Sequence, residues 1–111
     1  MKHRKFGREK KVREALLTRL AEALVSRGKV KTTEARAKTI RPFVEGLLTR
    51  AKRKNLASRR LVGRRLHPRA ANQLVESLAL RYHDRRGGYT RITKLPARSR
   101  DGARMAMIEF E

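Results

Sequence analysis

The excess of positive charge constrains this chain more than any other feature of its sequence. Its 111 residues include 31 lysines and arginines but only 10 acidic residues, for a formal net charge of +21. So much like charge in a small domain repels itself and destabilises the compact state unless a polyanion neutralises it. Basic residues occur in nearly every segment from Lys2 to Arg104, whereas membrane-binding proteins usually keep them on one face of an amphipathic helix. The pattern favours a partner that surrounds the protein, and folded RNA is the best match.

The composition excludes several other classes of protein. The chain has no cysteine, so neither a disulfide scaffold nor a thiolate metal site is available. No apolar run approaches the roughly 20 residues needed to span a bilayer. No apolar segment typical of a signal peptide follows the basic N-terminus. We therefore expect an intracellular, cytoplasmic protein with no membrane partner.

Patterns typical of catalysis are missing as well. His3, His67 and His83 lie in three separate basic segments, with no carboxylate placed to orient any of them. The chain has no nucleophile elbow, no glycine-rich phosphate loop followed by Lys-Ser/Thr, and no carboxylate pair in apolar surroundings. Zinc binding by histidine alone would need ligand spacings that do not occur here. We expect no enzymatic activity, no small-molecule substrate, no metal and no cofactor.

Hydrophobic spacing predicts a series of helices in the first three quarters of the chain. Apolar residues recur at helical intervals from Val12 to Val25, and Gly28 is a suitable helix stop. The segment 29–33 alternates like a short strand. A second helix follows the N-cap Thr33, with a kink or a restart expected at Pro42. Two shorter helices are predicted at residues 56–66, interrupted by Gly63, and at residues 71–82.

The last quarter of the chain changes to strand-like spacing. Residues 89–95 and 105–110 are predicted strands of a hairpin, joined by the basic loop 96–104. The order helix-strand-helix-helix-helix-strand-strand predicts an α+β fold in two layers, with the helices packed on a small mixed sheet. We expect an extended basic N-terminal arm (residues 1–11) followed by a single α+β domain (residues 12–111).

The arm and the stretch from Lys52 to Arg69 are the first two candidate RNA contacts. The arm is either a solvated tail or a segment that orders against phosphates, and the charge of the whole chain favours the second. The other stretch holds eight basic residues and no acid, and such uncompensated repulsion favours phosphate contact. The candidate residues are Lys2, His3, Arg4, Lys5, Arg8, Lys10 and Lys11 in the arm, and Lys52, Arg59, Arg60, Arg64 and Arg65 in the second stretch.

Two further candidates lie near the predicted strands. Arginine side chains flank the Gly87-Gly88 turn, and their planar guanidinium groups are suited to phosphate. Tyr89 either stacks on a base or packs in the core, and its sequence context leaves both open. The hairpin loop is basic around Asp101-Gly102. The candidate residues here are Arg85, Arg86, Tyr89, Arg91, Arg98 and Arg100.

Charge alone also allows a second type of nucleic-acid partner. Residues 56–78 would act as a helix-turn-helix in a basic DNA-binding nucleoid or regulatory protein. Against this, side chains suited to reading bases are few, with only Asn72 and Gln73 on the helix that would enter the groove.

Four motifs along the chain occur together in one known family. They are Met1-Lys2-His3-Arg4-Lys5-x-Gly7-Arg8, Lys31-Thr32-Thr33-x-x-Arg36-Ala37-Lys38, Arg85-x-Gly87-Gly88-Tyr89-Thr90-Arg91, and Asp101-Gly102-Ala103 with the strand that follows. In these motifs the chain resembles the bacterial large-subunit ribosomal protein L17 family. It departs from the family after Arg8, where residues 9–14 replace a polar stretch that is several residues longer.

The resemblance implies a structural constituent of the large ribosomal subunit. The protein would bind folded 23S rRNA mainly through phosphate and ribose, on the solvent side near the peptide exit tunnel. Its other partners would be neighbouring large-subunit proteins, and we expect no homo-oligomer. The resemblance implies the same order of helices and strands. Carried over by position, the implied RNA contacts are Lys2, His3, Arg4, Lys5, Arg8, Lys31, Thr32, Arg36, Lys38, Arg85, Arg86, Tyr89 and Arg91.

Overall fold

The computed structural model describes residues 10–111, which form four helices and three strands. The helices are α1 (Lys10–Arg27), α2 (Glu34–Ala51), α3 (Leu56–Arg65) and α4 (residues 68–81), and the strands are β1 (Lys29–Thr33), β2 (Thr90–Leu95) and β3 (Met105–Phe110). Their order confirms the predicted α+β architecture. The arm residues Lys2, His3, Arg4, Lys5 and Arg8 lie outside the described range. Lys10 and Lys11 belong to α1, so the helix begins two residues before the predicted boundary.

Local chemistry explains the junctions around β1. Gly28 has a φ of 84°, a left-handed conformation that ends α1, and its amide donates to the Leu24 carbonyl at 2.8 Å. At the other end of β1, Thr33 is the N-cap of α2, and its hydroxyl accepts from the Arg36 amide at 3.3 Å. Both predicted signals are confirmed, and they fix the short strand between two long helices.

The later helices differ from the predictions in continuity. α2 is a single helix through Pro42, so the chain does not restart there. α3 likewise runs through Gly63 without interruption. α4 begins at Pro68, a favoured first helical residue, and contains a π-helical segment, Leu74–Leu78, between two α-helical parts. Helical spacing does not distinguish an α-helix from one π-helical turn, so the sequence pattern contained no sign of it.

The sheet is antiparallel throughout, and the prediction of a mixed sheet is wrong. The strand order is β1-β3-β2, and β3 pairs antiparallel with both neighbours. Three helices separate β1 from β2 and permit either direction of return, so strand direction was not determined by the element order. In the observed register, Ile108 lies opposite both Val30 and Ile92.

The helices cover one face of this sheet. Ala106, Ile108 and Phe110 alternate along β3 and join the core with residues from all four helices, among them Leu24, Ile40, Leu48, Val62 and Leu74. Side chains alternate between the two faces along a strand, and the core-facing residues are next to Lys29, Lys31 and Arg91 in their strands. These three basic residues therefore occupy the opposite face of the sheet. The fold therefore presents basic residues on both its sheet side and its helix side.

Candidate nucleic-acid interface

Acidic side chains neutralise part of the positive surface. Within residues 10–111, six lysines and arginines pair with a described carboxylate, and five of them are predicted RNA-binding residues. The sequence did not reveal most of these pairs, because their carboxylates come from other elements. The five pairs are Lys38–Glu34 (2.8 Å), Arg59–Glu76 (3.3 Å), Arg85–Glu111 (2.7 Å), Arg91–Glu109 (3.5 Å) and Arg98–Asp101 (2.8 Å).

The α3 basic surface consists of Arg60, Arg64 and Arg65. All three side chains are exposed, and none forms an ion pair with a carboxylate in the described part of the chain. Val62 on the opposite side of the helix is buried, as is Leu66 just beyond it, so packing orients the arginines outward. An exposed helix without local acids has three cations available for an external anion.

A groove between α1, α2 and α3 adjoins this surface. Its volume is about 380 Å³. Arg13 is among its lining residues although its side chain is nearly buried, with 8% of its surface exposed. The described lining residues are Arg13, Glu14, Leu17 and Thr18 of α1, Thr39 and Phe43 of α2, and Arg64 and Arg65 of α3. The groove thus brings two predicted binding residues together with a third arginine.

Sequence reasoning missed Arg13 because it assigned the wrong phase to the start of α1. Val12 was expected on the buried stripe, yet it is 48% exposed. Ala21 and Leu24 are buried as expected, and the buried position at the start of the helix is Arg13, which lies on the same helix face. An arginine at the N-terminal end of an otherwise apolar helix face was the sequence signal that could have revealed the burial of Arg13. Lys10 and Lys11 lie in the turn of α1 that precedes this position.

A second group of cations surrounds the N-terminal end of α2. Arg36, Lys38 and Arg104 line a notch of about 500 Å³ there. The hydrogen bond from Lys38 to Glu34, at 2.8 Å, lowers the pKa of the Glu34 carboxyl group. Lys31 is exposed on β1, but Thr32 is buried and faces the helices. The predicted contact of the Thr32 side chain with RNA is therefore corrected to a core position.

Tyr89 is also a core residue and does not present its ring to a partner. The side chain has 0% exposure, and its ring meets that of Tyr82 edge-on, with the centroids 5.5 Å apart. Its hydroxyl donates to the Arg85 carbonyl at 3.1 Å and accepts from the Lys52 ammonium at 2.9 Å. The predicted stacking of Tyr89 on RNA is corrected accordingly, and Lys52 is held within the fold. Arg86, in the same turn, is exposed.

The substitution Tyr89→Phe separates these two roles. It keeps the buried ring and removes the hydroxyl, so we expect a loss of about 1 kcal/mol in the free energy of unfolding. RNA affinity should stay within about twofold of the wild-type value, because no exposed group changes. Chemical denaturation and filter binding measure the two quantities. Weaker RNA binding at unchanged stability would contradict the core assignment.

The hairpin loop is held by an internal ion pair. The Arg98 guanidinium donates to both carboxylate oxygens of Asp101, at 2.9 and 2.8 Å, and the Ala103 amide donates to one of them at 3.2 Å. The Arg98 amide donates to the Ala103 carbonyl at 2.8 Å. These bonds order a loop that is longer than usual for a hairpin, and they leave Arg100 exposed beside it.

The carboxyl group of Asp101 is expected to titrate below its ordinary range. The hydrogen bonds from Arg98, and secondly that from Ala103, lower its pKa from 3.8 to about 2. Since folding lowers this pKa, the stabilisation is complete above the unfolded value of 3.8 and is lost as the pH falls toward about 2. An NMR titration of the side chain should show this, and Arg98→Gln should move the midpoint back toward 3.8. An ordinary midpoint in the unsubstituted protein would contradict the pairing.

The remaining predicted residues occupy separate parts of the surface. Lys31 and Arg91 lie on the outer face of the sheet, Arg36 and Lys38 at the start of α2, and Arg86 in the turn before β2. The structure therefore brings the predicted residues Arg64 and Arg65 together with Arg13 around the groove and distributes the others. Such a distribution suits a partner that contacts several faces.

Two other features are absent from residues 10–111. No group of three or more His, Cys, Asp or Glu side chains in this range is arranged to hold a metal ion. No helix in the same range combines the length and apolar character needed to cross a membrane.

Comparison with known proteins identifies the family. The model for a family described as "Ribosomal protein L17" matches residues 16–111. A protein of Persephonella marina named "Large ribosomal subunit protein bL17" is 49% identical over 113 residues, covering 99% of this chain and 91% of the relative. The proteins of that name in Gemmatimonas aurantiaca and Campylobacter jejuni are 47% and 46% identical, covering 98% and 93% of their own lengths. This chain belongs to the ribosomal protein L17 family.

Proposed function

We propose that this protein is a structural constituent of the large ribosomal subunit that binds and stabilises folded 23S rRNA. Its family is a structural, non-enzymatic one, and its relatives are named as large-subunit proteins. The observation that carries RNA binding is the α3 basic surface, whose three arginines are exposed and have no carboxylate partner among residues 10–111. In a bacterium the site of action would be the ribosome, in the cytoplasm.

Phosphate and ribose should dominate the contacts. Guanidinium groups offer planar pairs of donors that match phosphate oxygens. The aromatic rings of Tyr82, Tyr89 and Phe110 are buried, so a stacking platform of the kind used by single-strand-binding proteins is not formed by them. Shape and backbone recognition is the usual mode for folded RNA helices. Cations on several faces would allow several RNA segments to be held together.

The proposed position of the protein within the large subunit follows from its resemblance to the family. We infer a position on the solvent side of the subunit near the peptide exit tunnel, beside neighbouring large-subunit proteins. The distribution of exposed cations supports enclosure by RNA on more than one side. Crosslinking within purified large subunits, followed by mapping of the nucleotides beside Arg59, Arg64 and Arg85, tests this placement. Crosslinks to the subunit interface alone would contradict it.

Co-sedimentation tests the proposed function itself. The protein should migrate with the large subunit in gradients at physiological salt, and large-subunit rRNA should compete with duplex DNA for the purified protein. A protein found only in the post-ribosomal supernatant would contradict the proposal. Preference for DNA would instead support the regulatory alternative, for which the family provides no support.

A further inference from the structure

Arg13 is a buried cation without a partner in the described structure. Its side chain is nearly covered, its Nε atom has no hydrogen-bond partner, and it forms no ion pair within residues 10–111. An isolated buried charge destabilises a fold unless a counter-charge compensates it. Because Arg64 and Arg65 line the same groove, three cations converge where Glu14 is the only acidic residue among the described lining residues. The missing partner is therefore an anion.

The rest of the groove indicates what kind of anion. Leu17 and Phe43 form apolar walls beside the arginines, and both are half-buried. A bare phosphate would satisfy the cations but leave these walls open to water. The volume of about 380 Å³ is within the usual range for pockets that hold small organic groups. An anionic group attached to a flat aromatic ring, whose face can pack against an apolar wall, matches both parts, and a nucleotide has this composition.

We propose that the groove between α1, α2 and α3 binds a single unpaired nucleotide of the RNA partner, with its phosphate among Arg13, Arg64 and Arg65 and its base against Phe43. Base–aromatic contact is tolerant of sequence because every base has a π-face. Only an unstacked nucleotide can offer its base in this way, as in a bulge or loop. Glu14 repels a second phosphate and limits the groove to one nucleotide. This inference rests on the proposed RNA-binding function and adds a local specificity to it.

Two RNA probes of equal charge test the inference. One is a fully paired hairpin; the other has the same length but carries one bulged nucleotide in its stem. The wild-type protein should bind the bulged hairpin roughly fivefold or more tightly than the paired one. Phe43→Leu keeps an apolar side chain but removes the ring. It should abolish this preference and leave the affinity for the paired hairpin unchanged. Leu80→Ala is the control, because Leu80 is exposed on α4 and does not line the groove.

Arg13→Met provides a second, independent readout. It replaces a buried unpaired charge with an apolar side chain of similar length, so the melting temperature of the free protein should rise by several degrees. The same variant should lose the preference for the bulged hairpin. Higher stability together with weaker binding is characteristic of a residue kept for a ligand. A lower melting temperature would assign Arg13 a structural role and overturn the inference.

The remaining outcomes separate this inference from the function on which it rests. If the wild-type protein co-sediments with the large subunit but binds the two hairpins equally, the nucleotide site is overturned and the ribosomal role stands. If Phe43→Leu lowers the affinity for both hairpins equally, the ring supports the fold and does not contact a base, which also overturns the site. Displacement of the bulged hairpin by poly-glutamate as readily as by RNA would assign the groove to an acidic protein segment. Absence from the large subunit with no binding of either hairpin would overturn the proposed function as well.

Discussion

Replacing Arg60, Arg64 and Arg65 together with glutamine is expected to weaken binding to large-subunit rRNA roughly a hundredfold at physiological salt. Each arginine is exposed without a carboxylate partner in residues 10–111, so each is available for a phosphate. A charge-assisted hydrogen bond to phosphate contributes about 1 kcal/mol or more, and three of them account for a change of this size. The slope of log affinity against log salt should become shallower by about 2 to 3. Filter binding over a salt series measures both quantities.

A control with the same change in net charge makes this prediction specific. Lys38, Arg85 and Arg91 each pair with a glutamate. Replacing these three with glutamine therefore removes the same amount of positive charge, but from side chains that a carboxylate already partly neutralises. We expect affinity to fall by less than about tenfold, with a smaller change in salt slope. Equal losses in the two triple variants would mean that net charge, and not the α3 basic surface, determines binding.

Ile108→Ala is expected to have the largest effect on stability among single substitutions in the sheet. Ile108 has 0% exposure in the central strand, between Val30 and Ile92 of the two edge strands. Truncating a buried isoleucine to alanine lowers the free energy of unfolding by about 2–5 kcal/mol, a large part of the stability of a small domain. Urea denaturation in moderate salt, which screens the repulsion among the cations, measures the loss.

The neighbouring residue provides the control for this substitution. Met107 lies on the opposite face of β3 and is only half-buried, so Met107→Ala should lower the unfolding free energy by about 1 kcal/mol or less. Similar losses at both positions would contradict the one-sided packing of the sheet.

Local signals predicted most of the secondary structure. β1 was predicted within its observed bounds, and the roles of Gly28 and Thr33 are confirmed, because each depends on neighbouring residues alone. The antiparallel pairing of β2 with β3 follows from the predicted hairpin and is confirmed. The direction of β1 relative to β3 was not predictable, since it depends on how three helices pack between β1 and the hairpin. The phase of α1 was wrong at Val12, because several apolar residues at its start fit more than one helical stripe.

The candidate site shows the same division between local and long-range information. The run of basic residues around α3 was evident from composition, and the structure places Arg60, Arg64 and Arg65 on the surface. Burial of Tyr89 was not evident, because a tyrosine after two glycines is compatible with a core or a surface position. Pairing of Arg59 with Glu76, or Arg91 with Glu109, joins residues that are distant along the chain. Such pairs reduce the number of cations available for RNA, and only the fold reveals them.

The chain's natural lack of cysteine permits one direct measurement of the central claim, that the α3 basic surface contacts large-subunit rRNA. A single cysteine introduced by Arg60→Cys can carry a tethered iron chelate, and the labelled protein can be incorporated into large subunits. Hydroxyl radicals released there should cleave 23S rRNA at a small number of adjacent sites, whereas the same chelate placed by Leu80→Cys should produce a different pattern. Absence of rRNA cleavage from position 60, in subunits shown to contain the labelled protein, would contradict the claim.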